Sequence, residues 1–147
     1  MLPASHTIIS AGLSYCFYQY SGSPSATAAC FLSGIFIDLD HHLEYLIVKK
    51  EIPFDLKKLM HFFEYDRHPK VYLWFHAWEY LFFLWALIYF LSLGIFWVAI
   101  ALGVTVHMIC DLLANPIRPL GYFLTYRARH GFEKKDILNE EALKKIR

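Results

Sequence analysis

Charge is what this chain has least of, and its absence is organised. Up to Ile37 there is no Asp, Glu, Lys or Arg. Over all 147 residues the charged types make up 18% and the hydrophobic types 57%. Soluble domains average about 25% and about 45–50%, so the balance argues against an ordinary soluble domain and for a membrane protein. A formal net charge of +1 removes any general reason to expect a nucleic-acid partner. Cysteine is scarce as well. Cys16, Cys30 and Cys110 are odd in number and lie inside apolar runs, which excludes a disulfide framework and leaves small packing residues. No basic stretch precedes the first apolar run, so Met1 to Tyr20 does not read as a signal peptide and is expected to be retained. Internal repeats and low-complexity segments are lacking too.

What is present is a set of four apolar segments. The first runs from about Thr7 to Tyr20, short against the roughly 20 residues of a membrane span, and ends in the turn Tyr20-Ser21-Gly22-Ser23-Pro24-Ser25. The second runs from Ala26 to about Val48, the third from Val71 to Leu93, and the fourth from Ile95 to about Ala114. The fourth should stop at Asn115-Pro116, because Pro116 disfavours helix at the preceding residue. The aromatic share of 18% suits this class, since Trp and Tyr collect at bilayer interfaces.

The missing cations set a topology. All fourteen Lys and Arg fall between Lys49 and Lys70 or between Arg118 and Arg147, with none in Tyr20–Ser25 or Ser92–Gly94. The positive-inside rule then puts both basic blocks, and both termini, in the cytoplasm. The expectation is an all-α integral membrane four-helix bundle over residues 1–116. Within it, the amphipathic stretch 49–70 lies on the inner surface. Residues 117–147 form a cytoplasmic tail, with a short polar helix over Glu133–Arg147.

This topology brings titratable residues to one level. His6 opens the first span; Asp38, Asp40, His41 and His42 lie near the inner end of the second; His76 and Glu79 open the third; His107 and Asp111 close the fourth. A carboxylate inside a membrane costs about 2.5–3.5 kcal/mol or more unless it is paired, ligated or at the boundary. His107 and Asp111 are spaced i, i+4, and so share a helical face. His76 and Glu79 are i, i+3, a spacing found in bundle metal sites. Asp38 with His41 and His42 is i, i+3, i+4, which turns Asp38 into the bundle and leaves Asp40 or His42 toward water. Mixed imidazole and carboxylate donors suit a divalent metal, zinc first, with manganese, iron or magnesium as alternatives. Taken singly, each residue has a plain reading as a hydrogen-bonded packing group or a solvated helix end; it is the agreement of four elements that points to a metal. His61, His68 and His130 read as surface or loop residues.

The same residues carry a resemblance. Ala4-Ser5-His6-Thr7, Asp38-Leu39-Asp40-His41, Phe75-His76-Ala77 and His107-Met108-Ile109-Cys110-Asp111 follow the order of motifs in the YdjM-like family. Its members are small inner-membrane proteins described as metal-dependent hydrolases, some regulated by LexA. The likeness covers Leu2 to Asn115. Departures are Ile37 where the family usually has Pro, the absence of His-Arg-Gly before the third motif (Arg67-His68-Pro69 comes nearest), Ala77-Trp78-Glu79 in place of a Ser, and no Thr in Leu112-Leu113-Ala114-Asn115. A fainter likeness is to zinc-dependent phospholipase C and nuclease folds. The resemblance implies a bacterial inner (plasma) membrane protein with hydrolase activity.

The functional expectation is therefore a membrane-embedded metal-dependent hydrolase. It would act at the cytoplasmic interface on a phosphate ester or phosphodiester of a membrane lipid. Metal ligands would be His6, Asp38, His76, His107 and Asp111, with Asp40, His41 and Glu79 as further ligands or the general base. Arg67, Lys70 or Arg118 would hold the substrate phosphate. The alternative is a non-catalytic metal or proton carrier, although the outer halves of the spans offer little polar path beyond Ser and Tyr. A haem or di-iron redox bundle and a metal-free polar cluster complete the possibilities.

Overall fold

The computed structural model describes residues 3–52, 55–65 and 68–146. Every regular element among them is helical: α1 (Pro3–Ser21), α2 (Pro24–Phe36), α3 (Leu39–Lys49), α4 (Leu56–Tyr65), α5 (Trp78–Phe90), α6 (Ile95–Ala114), a 3-10 turn at Pro119–Tyr122, then α7 (Leu124–Arg129), α8 (Lys134–Ile137) and α9 (Glu140–Ile146). Among the described residues, extended pairing is confined to two isolated bridges, Lys70 with Glu133 and Ile117 with Leu138. The all-α class is thus as expected. The chain divides into two compact units, one of Met1–Ile37 with Trp78–Asn115, the other of Asp38–Ala77 with Pro116–Arg147. The tail expected at 117–147 accordingly shares a unit with residues 38–77.

In the first unit α6 packs on α1, α2 and α5, and α1 packs on α2. The start of α2 is written in Ser23-Pro24: the Ser23 hydroxyl accepts the Ala26 N–H at 3.3 Å, and proline occupies the first turn, where its missing N–H costs nothing. The end of α6 is written in Asn115-Pro116, with Asn115 extended at φ −92, ψ 151. Small residues let the helices meet. Ala26, Cys30 and Gly34 of α2 are buried four apart, and Gly103 of α6 lies so close to the Cys30 carbonyl and the Ser33 hydroxyl that a Cβ there would overlap both. The Ser33 hydroxyl crosses to the Ile100 carbonyl at 3.1 Å, and Trp85 Nε1 donates from α5 to Thr105 Oγ1 of α6 at 3.1 Å.

Around a small core of Phe17, Ala26, Cys30 and Ala99, the unit turns several polar side chains inward and many apolar ones outward. The buried residues of α1 are His6, Ser10, Ser14 and Phe17, while Ile8 is 73% exposed and Tyr15, Tyr18 and Tyr20 face outward. On α5 only Leu81 and Ile88 are buried, and Phe82, Phe83, Tyr89 and Phe90 are exposed. By length and composition, α6 is the one helix among the described residues suited to cross a membrane, with 20 residues at a mean hydropathy of 2.0; α5 is apolar but has 13 residues.

The second unit is built around two small cores. Tyr45 and Val48 of α3 meet Leu59 and Phe62 of α4, and Val71, Leu73 and Ile137 pack with Ile117. The segment before α5 is laced to the C-terminal part of the chain by two main-chain bonds, Val71 N–H to the Phe132 carbonyl at 2.9 Å and Lys134 N–H to that of Pro69 at 2.7 Å, and within that part Arg118 N–H donates to the Ile137 carbonyl at 2.8 Å.

Three segment expectations need correction. Ala26–Val48 is not one helix; it breaks after Phe36 and restarts at Leu39. The third apolar segment is helical only from Trp78, because the Phe75 and His76 N–H groups are taken by the Asp40 carboxylate, at 2.9 and 3.2 Å, and not by a helical turn. The polar C-terminal helix is two short helices separated at Leu138-Asn139.

Candidate functional site

Within the first unit, α1 and α6 bring together His6, His107 and Asp111, which are 3%, 2% and 1% exposed. His6 Nε2 lies 3.1 Å from Asp111 Oδ1, and His107 Nε2 lies 3.4 Å from Asp111 Oδ2. The i, i+4 spacing on α6 places both side chains on one face, as read from the sequence. The two imidazoles stack, with centroids 3.9 Å apart and planes 17° from parallel. His107 Nδ1 is 2.8 Å from the Gly34 carbonyl of α2. A carbonyl only accepts, so Nδ1 carries the hydrogen, and Nε2 then turns either a lone pair or a second proton toward the carboxylate.

Within the second unit, Asp38, His41 and His76 form a like set. His76 Nε2 is 3.6 Å and His41 Nε2 is 3.5 Å from Asp38 Oδ1, and the two rings lie 5.2 Å apart. His76 Nδ1 is 2.9 Å from Asp40 Oδ2, the same oxygen that accepts the Phe75 and His76 N–H groups. An oxygen already accepting two N–H groups fixes Nδ1 as a third donor. His76 thereby repeats the state of His107, with Nδ1–H held by an oxygen acceptor and Nε2 facing an aspartate.

That arrangement is chemically informative. Metal-ligating histidines commonly donate the far N–H to a carbonyl or carboxylate, which fixes tautomer and ring orientation. With Nδ1 protonated, a neutral His107 sets a lone pair against the Asp111 oxygens, so a cation, proton or metal, is needed between them. Protonating both rings would put two charges on imidazoles 3.9 Å apart, a repulsion of about 4 kcal/mol near 4 Å at an effective dielectric of 20. One divalent ion relieves both conflicts. Each group offers two imidazole nitrogens and one carboxylate, and its donor atoms all lie within 4.8 Å of one another. The residues present fit a metal.

No family model, characterised protein or solved structure matches this chain.

The remaining residues singled out from the sequence fall elsewhere. Asp40 is fully buried and orients His76, while Asp38 keeps 22% of its side chain exposed. The expected division holds for Asp38, which meets His41 and His76, and fails for Asp40, which is buried because the break after Phe36 puts it in the first turn of α3. Asp40 Oδ1 is buried without a hydrogen-bond partner among the described residues. Glu79 stands half-buried in the first turn of α5, outside both groups, and it shares no helical face with His76, which precedes the helix. Lys70 is half-buried and Arg118 exposed, and Arg67 lies outside the described residues.

Two residues that the sequence did not single out hold the second group in place. Leu73 has a φ of 43, a left-handed conformation that is strained for a bulky side chain. Glu44 Oε2 accepts its N–H at 3.0 Å, and Arg127 Nη2 donates to its carbonyl at 2.7 Å. Arg127, fully buried, also donates from Nη1 to the carbonyls of His76, at 3.0 Å, and Gly121, at 2.6 Å. Burial pushes the Glu44 carboxyl above the usual carboxylate range, against the Leu73 and Tyr72 N–H groups, which lower it. An acid late in an apolar run and an arginine in a basic tail carry no local pattern that marks them as a clamp.

Proposed function

We propose that this chain is an integral membrane hydrolase that uses a divalent metal, zinc first, to cleave a phosphate ester or phosphodiester of a membrane lipid at the cytoplasmic interface. The single observation that carries the reading is the shared state of His107 and His76, each with Nδ1–H fixed by an oxygen acceptor and Nε2 presented to an aspartate. His6, His107 and Asp111 would hold metal in one unit, and Asp38, His41 and His76 in the other. A bound divalent ion supplies a Lewis acid and water of lowered pKa. The protein's own part is to fix ring orientation through Gly34 and Asp40, and to keep water from the buried nitrogens.

Membrane embedding is supported by the first unit. Its interior collects His, Ser and small side chains while Ile, Phe and Tyr cover the outside, an exposed apolar area that water does not favour. Small-residue helix contacts and interhelical hydroxyl bonds are also the packing used in lipid. Four spans, cytoplasmic termini and a bacterial inner membrane follow from the charge placement and from the motif order shared with YdjM-like proteins. The test is hydrolysis by detergent-purified protein of two short-chain lipids: phosphatidic acid, a monoester, read as released phosphate, and phosphatidylcholine, a diester, read as the alcohol and phosphomonoester formed. Activity should vanish on metal removal, return with added zinc or manganese, and be lost in Asp111→Ala. Full turnover by the metal-stripped protein, or by Asp111→Ala, would refute the hydrolase.

A further inference from the structure

α3 turns outward what a water-facing helix buries. Its inner face carries Asp40, Glu44 and Tyr45, all buried, and both carboxylates are pinned there by the main-chain N–H groups of Leu73, Phe75 and His76. Its outer face carries Leu39, Leu43, Leu46 and Ile47, each 38–51% exposed. At helical spacing these four fall in one stripe roughly 100° wide, which runs to Lys50, the exposed left-handed residue that closes the helix. The segment that Asp40 and Glu44 hold adds Trp74 and Phe75 beside α3, also exposed. With 11 residues, α3 is about 16 Å long and cannot cross a hydrocarbon core of about 30 Å.

A short helix with an aliphatic stripe on one side and its acids locked on the other suits a bilayer surface, where such a stripe lies in the boundary between headgroups and acyl chains. The stripe is made of Leu and Ile alone, whereas the close contact of α2 with α6 is made at Gly103; small residues are what let helices pair in lipid. Trp beside the stripe and Lys at its end are residues that sit at the water edge of a bilayer. We infer that α3 is an interfacial helix that seats the second unit on the membrane surface, with Leu39, Leu43, Leu46 and Ile47 in the acyl boundary and Trp74 at its rim. This seat rests on the membrane reading proposed above and deepens it. His41 follows Leu39 by two residues and so leaves the opposite side of the helix, about one helix diameter, 10–12 Å, from the stripe. The Asp38, His41 and His76 group then stands at headgroup level, where a lipid presents its phosphate ester and not its acyl esters.

The full chain, carrying Cys16→Ser and Cys110→Ser and keeping the buried Cys30, is reconstituted in vesicles of phosphatidylcholine and phosphatidylglycerol and spin-labelled at one introduced cysteine at a time. Leu43→Cys, Leu46→Cys and Ile47→Cys report on the stripe, all at exposed positions. Phe83→Cys on α5 reports on the membrane reading and Glu141→Cys on α9 on water, both exposed as well. Collisions with oxygen, which collects among acyl chains, are compared with collisions with a water-soluble nickel chelate. Oxygen should dominate at the three α3 sites and at Phe83, and the nickel chelate at Glu141. Nickel-dominated α3 sites beside an oxygen-dominated Phe83 would overturn the interfacial helix and leave the membrane reading standing; nickel dominance at Phe83 as well would overturn both. Few collisions with either reagent at the α3 sites, with spin–spin broadening that grows with the protein-to-lipid ratio, would assign the stripe to a second copy of the chain and overturn the lipid seat.

Discussion

The contact between α2 and α6 allows a substitution whose sign can be worked out from two opposing terms. Gly103→Ala should gain roughly 0.5–1 kcal/mol, because alanine loses less freedom than glycine in a helix. The new methyl, however, would overlap the Cys30 carbonyl and the Ser33 hydroxyl, and the first of these is backbone that cannot swing aside. Overpacking of this kind costs about 1–3 kcal/mol and is met by moving one helix away from the other. The expected net is a loss of about 1–2 kcal/mol. Gly12→Ala is the matched control, since nothing lies within 4 Å of a Cβ at that position on α1; there only the helix term remains, and stability should rise. Separation of α2 from α6 should also stretch the 2.8 Å bond from His107 Nδ1 to the Gly34 carbonyl, so metal affinity should fall in Gly103→Ala and hold in Gly12→Ala. Denaturant unfolding in mild detergent, followed by circular dichroism, reads the stability terms. A Gly103→Ala protein as stable as Gly12→Ala would refute the close-packing argument.

Two further substitutions probe the clamp on the second group. Arg127→Leu removes the donors to the Leu73, His76 and Gly121 carbonyls and should cost about 3–5 kcal/mol, as breaking a buried charged network does; Arg127→Lys should recover only part, since one ammonium cannot repeat the planar fork. An unfolding free energy within error of wild type for Arg127→Leu would contradict the clamp. Glu44→Gln keeps an acceptor for the Leu73 N–H and removes the charge that burial disfavours. The folded carboxyl has its pKa raised, chiefly by desolvation, so the native state holds the proton more tightly than the unfolded chain. The group's contribution to stability is therefore full below its unfolded pKa and is lost as pH rises through the folded value. The stability difference between Glu44→Gln and wild type should move in favour of the variant as pH rises from about 4 to about 8; parallel pH curves would contradict the raised pKa.

Much of the first unit was legible because its signals are local. Ser23-Pro24 marks the start of α2 and Asn115-Pro116 the end of α6, and His107 and Asp111 share a face by spacing alone. The second unit was less so, because its structure is set by contacts distant in sequence. Nothing near residue 37 announces that the apolar run breaks there. The break makes sense once Asp40 accepts N–H groups thirty-five and thirty-six residues further on. For the same reason Val71–Ala77 reads as the start of a helix although its N–H groups go to Asp40, Glu44 and the Phe132 carbonyl. Gly34 serves for close approach, which spacing alone does not reveal: a Cβ there would lie 2.5 Å from the Ser10 hydroxyl. Arg127 could not be told from the other cations of the tail, because its burial depends on three carbonyls supplied by segments far from it in the chain.

The central claim is that the His/Asp groups hold a divalent metal, and elemental analysis of the purified full chain tests it most directly. Wild-type protein should carry a near-stoichiometric transition metal, zinc first. The content should drop in His107→Ala and separately in His76→Ala, while Glu79→Ala and His130→Ala retain it with unchanged helical spectra. A folded wild-type protein that carries no metal and binds none on titration, or metal content indifferent to both His107→Ala and His76→Ala, would contradict it.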